Sequence, residues 1–270
     1  MKTIFLLLCF VLSVGADERI VSLSPSITEI VYGLDAGEQM LATSSYSLYP
    51  NAAKKLPIVG SYTNPNIEKI IAYSPTLVLG QTFNAQTLEK LQYFHIKTLT
   101  LTLKTIQNIT NAIGVLGERL HKEKEANNLI QNITHAIDSV KKSAKPHTVM
   151  IVYGLQEDLR SGIYIAGKDI FFDDIITLSG NTNVYTNALT SQPVLNYENV
   201  IALNPEQIII LHSHATESNV DVAQALKSWY ALPTKASKSG KISIVDEDYL
   251  HIPSHRIALT IEKLCGVMND

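Results

Sequence analysis

Cysteine is scarce in this chain, with two in 270 residues, Cys9 and Cys265, so a fold stapled by many disulfides is excluded. Tryptophan occurs once, at Trp229. There is no basic cluster, and 22 lysines and arginines against 25 acidic residues leave a formal charge of −3. The electrostatic footprint of a nucleic-acid-binding surface is therefore missing, and nucleic acid is not an expected partner. No His-Glu-x-x-His element of a zinc protease is present. No apolar run approaches the roughly 20 residues that span a bilayer. What the chain does have is 46% hydrophobic and 17% charged residues, enough to build a large core and too apolar for a disordered polymer.

The N-terminus has the layout of a secretory signal peptide: Lys2, an apolar run over residues 4–12, then Ser13-Val14-Gly15-Ala16. Cleavage after Ala16 is expected, which predicts export. It would remove Lys2 and Cys9, moving the charge from −3 to −4 and leaving Cys265 as a lone thiol. Cys265 lies on the apolar stripe of the last helical segment, where a thiol serves as a small core residue.

From Arg19 onward short β-branched runs alternate with turns and helical patterns, which is α/β order. Strands are predicted at 20–23, 40–43, 58–60, 76–79 and 98–101, with helices at 26–34, 67–73 and 86–94. A second set places strands at 148–153, 184–185, 207–211 and 241–245, with helices at 169–179, 197–203, 220–229 and 254–267. Between the sets, 105–120 and 122–144 read as helix, the second a stiff rod of roughly 35 Å at 1.5 Å per residue. The predicted organisation is a signal peptide (1–16), an α/β lobe (17–120), a connecting helix (121–146) and a second α/β lobe (147–270). Each lobe carries a parallel-type central sheet, and the ligand cleft lies between them. The apolar residues are thereby assigned to two separate cores.

An internal echo supports repetition: Asn66 to Leu79 and Asn196 to Ile209 share Asn, Glu, Ile, Ala and Pro at equivalent positions. In each copy Asn caps a helix, Glu68 or Glu198 sits in its first turn, and Pro75 or Pro205 ends it.

Ligands of parallel α/β sheets gather beyond the carboxyl ends of the strands. In the first set those ends carry hydroxyls, amides and aromatics, including Tyr46, Tyr62, Gln81 and Phe83. In the second they carry four of the eight histidines, His212, His214, His251 and His255, with Tyr249 beside them. Imidazoles suit nickel, zinc, copper or iron, and a phenolate suits ferric iron. Solvated or helix-capping histidines are the bland alternative. A secreted zinc hydrolase, with Asp246 or Glu247 as base, is the competing enzymatic reading.

Several segments together resemble the class III periplasmic solute-binding proteins of ABC importers, the receptors for cobalamin, haem, iron-siderophores and metals. Arg19-Ile20-Val21-Ser22-Leu23-Ser24-Pro25-Ser26-Ile27-Thr28-Glu29 resembles the family's opening. Ser44-Ser45-Tyr46-Ser47-Leu48-Tyr49-Pro50 is similar to its cobalamin-binding branch, and Ser161-Gly162, Gly167-Lys168 and Pro253-Ser254-His255-Arg256 follow its pattern. The resemblance implies a non-enzymatic, monomeric receptor with no permanently bound cofactor. It would carry an iron, nickel or cobalt-corrinoid complex to a permease dimer in the inner membrane. Glu68 and Glu198 match the family's two docking glutamates. Tyr46 and Tyr62 would stand in the aromatic wall, and Gln81 and Gln192 occupy places where that branch tends to carry tryptophans. Phe83, Tyr249 and Arg256 complete the expected ligand contacts, and His212, His214, His251 and His255 the expected metal ligands.

Overall fold

The computed structural model describes residues 18–212 and 221–269. The first half contains strands β1 (Ile20–Ser22), β2 (Met40–Ala42), β3 (Leu77–Gln81) and β4 (Lys97–Leu101), with helices α1 (Pro25–Gly33), α2 (Ile67–Ala72) and α3 (Ala85–Gln92). Two helices follow, α4 (Ile106–Arg119) and α5 (Glu123–Asp138). The second half contains β5 (Thr148–Tyr153), β6 (Ile163–Tyr164), α6 (Phe171–Leu178), β7 (Thr182–Asn183), β8 (Val194–Leu195) and α7 (Tyr197–Leu203). It closes with β9 (Gln207–His212), α8 (Val222–Tyr230), α9 (Lys235–Ser239), β10 (Ile242–Asp246) and α10 (Ile257–Asn269).

Both four-stranded sheets are parallel throughout, ordered β2-β1-β3-β4 and β7-β5-β9-β10. Taken strand by strand these are the same order, so the echo in the sequence corresponds to two lobes of one topology. The echoed segments are α2–β3 and α7–β9. In each, the Asn cap accepts a backbone N–H, from Lys69 at 2.9 Å and from Asn199 at 2.8 Å. Ser74 and Asn204, one residue before the prolines, both take positive φ, 47° and 51°.

The central strands β1, β3, β5 and β9 are buried on both faces, which is why they read as unbroken apolar runs rather than alternating ones. Alternation instead sorts their residues between cores. Val21 and Val78 face an outer cluster with Leu88 and Leu91, and Met150, Val152, Ile208 and Ile210 face another around Trp229. Ile20, Leu77 and Leu79 meet Val149, Ile151 and Ile209 in a single large cluster closed by α4, α5, α6 and α10. This corrects the expectation of two separate cores: the inner faces of both sheets share one.

The predicted rod is also shorter. Helix α5 has 16 residues, about 24 Å at 1.5 Å each. It stops at Asp138 because the chain beyond is drawn off: the Ser143 N–H donates to the Ser179 carbonyl at 2.7 Å. The predicted strand at 58–60 is reduced to two isolated bridges, Ile58 to Thr43 and Gly60 to Pro65, each beside or at a proline that has no N–H to extend a ladder. The strand expected at 184–185 lies two residues earlier, as β7. The β6–β8 antiparallel ribbon, two residues per strand, is too short to leave a periodic signature. Among the described residues no helix is long and apolar enough to cross a membrane. The predicted signal peptide lies outside the described residues.

Candidate functional site

A cleft of about 1070 Å³ opens where the carboxyl ends of the two sheets face each other. Its first wall comes from the turns after β1, β2 and β3. Buried hydroxyls hold these turns together: Thr43 Oγ1 lies 2.7 Å from Thr28 Oγ1 and 2.8 Å from Ser47 Oγ, and Gln81 Nε2 donates to Ser24 Oγ at 2.7 Å. Asn84, itself buried, receives the Gln81 N–H at 3.0 Å and donates to the Tyr62 carbonyl at 2.8 Å. The aromatic residues stand on this scaffold. Tyr62 and Phe83 pack edge-to-face with ring centroids 6.0 Å apart. Tyr46, with φ of 65°, is 62% exposed and Phe83 is 54% exposed, so these rings present open apolar faces to the cleft.

The second wall is built by the end of β5, the β6–β8 ribbon and the segment after β10. Tyr153 sits edge-on to Phe172 at 5.5 Å and 5.9 Å from the His251 ring, and its hydroxyl bonds to the Gln192 side chain. Burial pushes the Tyr153 phenol well above its ordinary pKa, so it stays a neutral hydroxyl. Lys54 and Lys104 contribute cationic groups to the lining.

At the floor, Arg256 lies beside Glu29 of α1. Nε donates to Oε2 at 2.9 Å and Nη2 to Oε1 at 2.6 Å, while Nη1 reaches Asp248 Oδ1 at 2.8 Å. Ser254 Oγ donates to Glu29 Oε2 at 2.6 Å, and the guanidinium stacks 3.9 Å over the Tyr49 ring. Burial raises the Glu29 pKa, against the lowering effect of Arg256 and Ser254.

Of the predicted ligand contacts, Tyr46, Tyr62, Gln81, Phe83, Gln192 and Arg256 all line the cleft. Tyr249 does not: it packs against the shared core, and burial raises its pKa, which disfavours a phenolate there. Among the described residues the expected histidines stand in different surroundings. His251 lines the cleft, whereas His212 is buried within the second sheet, its Nδ1 3.3 Å from Asp246 Oδ2. His255 lies against α1, where a Cβ on Gly33 would come within 2.8 Å of its Nδ1. His214 lies outside the described residues. Strand β9 runs through His212 and commits that ring to the sheet interior, while the close contact with α1 withdraws His255 from the cleft. Among the described residues no three His, Cys, Asp or Glu side chains come together as a metal site.

Sequence reasoning missed Tyr49, Tyr153, Tyr164 and Lys104. Tyr153 and Lys104 lie at or just past the ends of β5 and β4, so the rule of carboxyl ends contained them. Tyr164 belongs to the ribbon and had no comparable signal. Glu68 and Glu198 are exposed, each the second residue of its helix.

A family model described as periplasmic binding protein matches residues 20–249. The vitamin B12-binding protein of Vibrio vulnificus (strain CMCP6) is 31% identical over 271 residues, 98% of this chain and 96% of that protein. Among solved structures, the periplasmic heme-binding protein RhuT from Roseiflexus sp. RS-1 superposes with a TM-score of 0.79 at 24% identity, covering 94% of this chain and 98% of that one. The periplasmic vitamin B12-binding protein BtuF of Vibrio cholerae gives 0.75 at 24% identity, covering 93% and 96%.

Proposed function

The chain belongs to the periplasmic binding protein family, and from that premise we propose that it is the receptor of an ABC importer whose cleft takes a corrinoid of the cobalamin type. The observation that carries this reading is the cleft: about 1070 Å³, walled by aromatic rings, and edged by neutral amides and hydroxyls. That volume stands at the upper end of the roughly 300–1,000 Å³ typical of small-molecule sites. A corrinoid is a large, partly flat molecule that brings its own chelated metal and a rim of amide side chains. Tyr46, Tyr62 and Phe83 suit its faces, and Gln81, Gln192 and Ser191 suit its rim. Lys54 or Lys104 would meet the single phosphodiester charge. Such a ligand does not require the receptor to assemble a metal centre, in keeping with the dispersed histidines.

The vitamin B12-binding relatives support the corrinoid over other metal complexes. The haem-binding structural neighbours make haem the second reading, favoured specifically by His251 and two lysines in the lining. The receptor would act without catalysis or a resident cofactor, as a monomer exported by residues 1–16. Residues 17–120 and 147–270 would be its lobes and 121–146 the connector. Glu68 and Glu198 would present one carboxylate per lobe to the permease.

Calorimetric and absorbance titrations of the purified protein with cyanocobalamin and with haemin separate the two readings. The expected result is saturable corrinoid binding at least 100-fold tighter than haemin. The reverse preference sinks the corrinoid assignment in favour of haem, and binding of neither sinks both.

A further inference from the structure

The Arg256 cluster joins the two lobes. Glu29 follows β1 and Tyr49 follows β2, both in the first sheet, whereas Asp248, Ser254 and Arg256 follow β10 of the second. One guanidinium therefore makes a two-toothed ion pair with one lobe, stacks on an aromatic ring of the same lobe, and is anchored by a carboxylate of its own. The side chains of Arg256 and Glu29 are only 8% and 4% exposed. Close packing continues alongside, where a Cβ added to Gly33 would come within 2.8 Å of the His255 ring, so that the ring would have to shift. The same segments supply both walls: Tyr46 and Tyr49 from one side, Asp248 and His251 from the other.

We infer that Arg256 is a positioning residue of the ligand site, a staple between the lobes that sets the distance between the two walls of the cleft. A planar fork that pairs with a carboxylate through two parallel bonds and stacks on a ring fixes orientation as well as distance, which a lysine ammonium does not. Pulling the fork away frees the Tyr46–Tyr49 turn and the 248–256 segment to move independently. The inference rests on the cleft being the binding site, but not on which metal complex fills it.

The test reads the lobe separation directly and without ligand. Spin labels go on the exposed positions of α3 and α8 through Glu89→Cys and Lys227→Cys, with Cys9→Ser and the buried Cys265 retained. The protein with an intact staple should give one narrow distance distribution. Arg256→Lys should broaden it at least twofold and weaken cyanocobalamin at least tenfold. Tyr49→Leu, which leaves the buried ion pair in place, should broaden it to a smaller extent and guards against failure of the first variant to fold. Ile208→Val, a change in the outer cluster of the second sheet that only lowers stability, should leave the width unaltered. Unchanged widths in both staple variants, or equal broadening in the core variant, overturn the inference. Failure to bind cyanocobalamin in the parent protein counts against the corrinoid alone, because the distances need no ligand.

Discussion

His255 is held neutral by its place in the fold. Burial, with a smaller push from the Arg256 charge, lowers its pKa from 6.5 to about 4. The unfolded chain therefore binds a proton between those values that the folded chain refuses. Stability from this residue is fully present above pH 6.5 and is lost as pH falls toward 4, by up to about 3 kcal/mol. Glu29, with its raised pKa, contributes a slope of opposite sign, so the effect is isolated by comparing two proteins. Urea unfolding across this window should show His255→Gln losing less stability than the parent as the medium is acidified. Parallel curves would mean that the folded protein protonates His255 freely. Sequence pattern marked His255 as a metal ligand because it counts imidazoles near strand ends and cannot see a helix approaching from the other lobe. The cleft-lining Tyr46, Tyr62, Gln81 and Phe83 were legible for the opposite reason: strand ends fix their place locally. Arg256 was legible as a residue of the cleft, but its pairing with Glu29, 227 positions away, left no trace in the pattern.

Elements were readable where their own residues determine them. Helices α2 and α7 begin at asparagine caps, and α4 begins at the Thr105–Asn108 capping box, so their starts are local chemistry. The end of α5 was not local, since a bond from Ser143 to Ser179 decides it. The turn between α4 and α5 depends on a contact that a hydrophobic pattern does not encode. A Cβ added to Gly117 would fall 2.4 Å from the Ala126 Cβ, an atom with no rotamer to move aside. Gly117→Ala should therefore force the two helices apart and cost about 1–3 kcal/mol. Gly266 in α10 has nothing within 4 Å of the same added atom. There the alanine should gain up to about 1 kcal/mol from helix propensity alone. Thermal unfolding of the two single variants checks the contrast, and shifts of the same sign would show that helix packing is not what Gly117 provides.

At the scale of the molecule, repetition relates the two ends of the cleft. Because both sheets have one strand order, α2 and α7 occupy equivalent positions, and each returns antiparallel to the parallel strand it precedes. Both helices therefore begin on the side where the strands end, which is the rim of the cleft. Glu68 and Glu198 stand there, exposed, one per lobe. As first-turn carboxylates they are favourable to their helices by about 0.3–1 kcal/mol each, a modest reason for their presence. Under the docking role proposed for them they have a stronger one, since two like charges at matched positions would meet two like countercharges on a symmetric permease. Glu68→Lys with Glu198→Lys should cost about 1–4 kcal/mol of stability in all, given that each reversal replaces a favourable helix-end charge with an unfavourable one. Ligand affinity should be unchanged, because neither residue lines the cleft. Stimulation of the permease ATPase in reconstituted vesicles should nevertheless be lost, with each single variant retaining part of it. Full stimulation by the double variant would reduce the pair to helix-end charges, and loss of ligand binding alongside ATPase stimulation would place the defect in the cleft rather than at the docking surface.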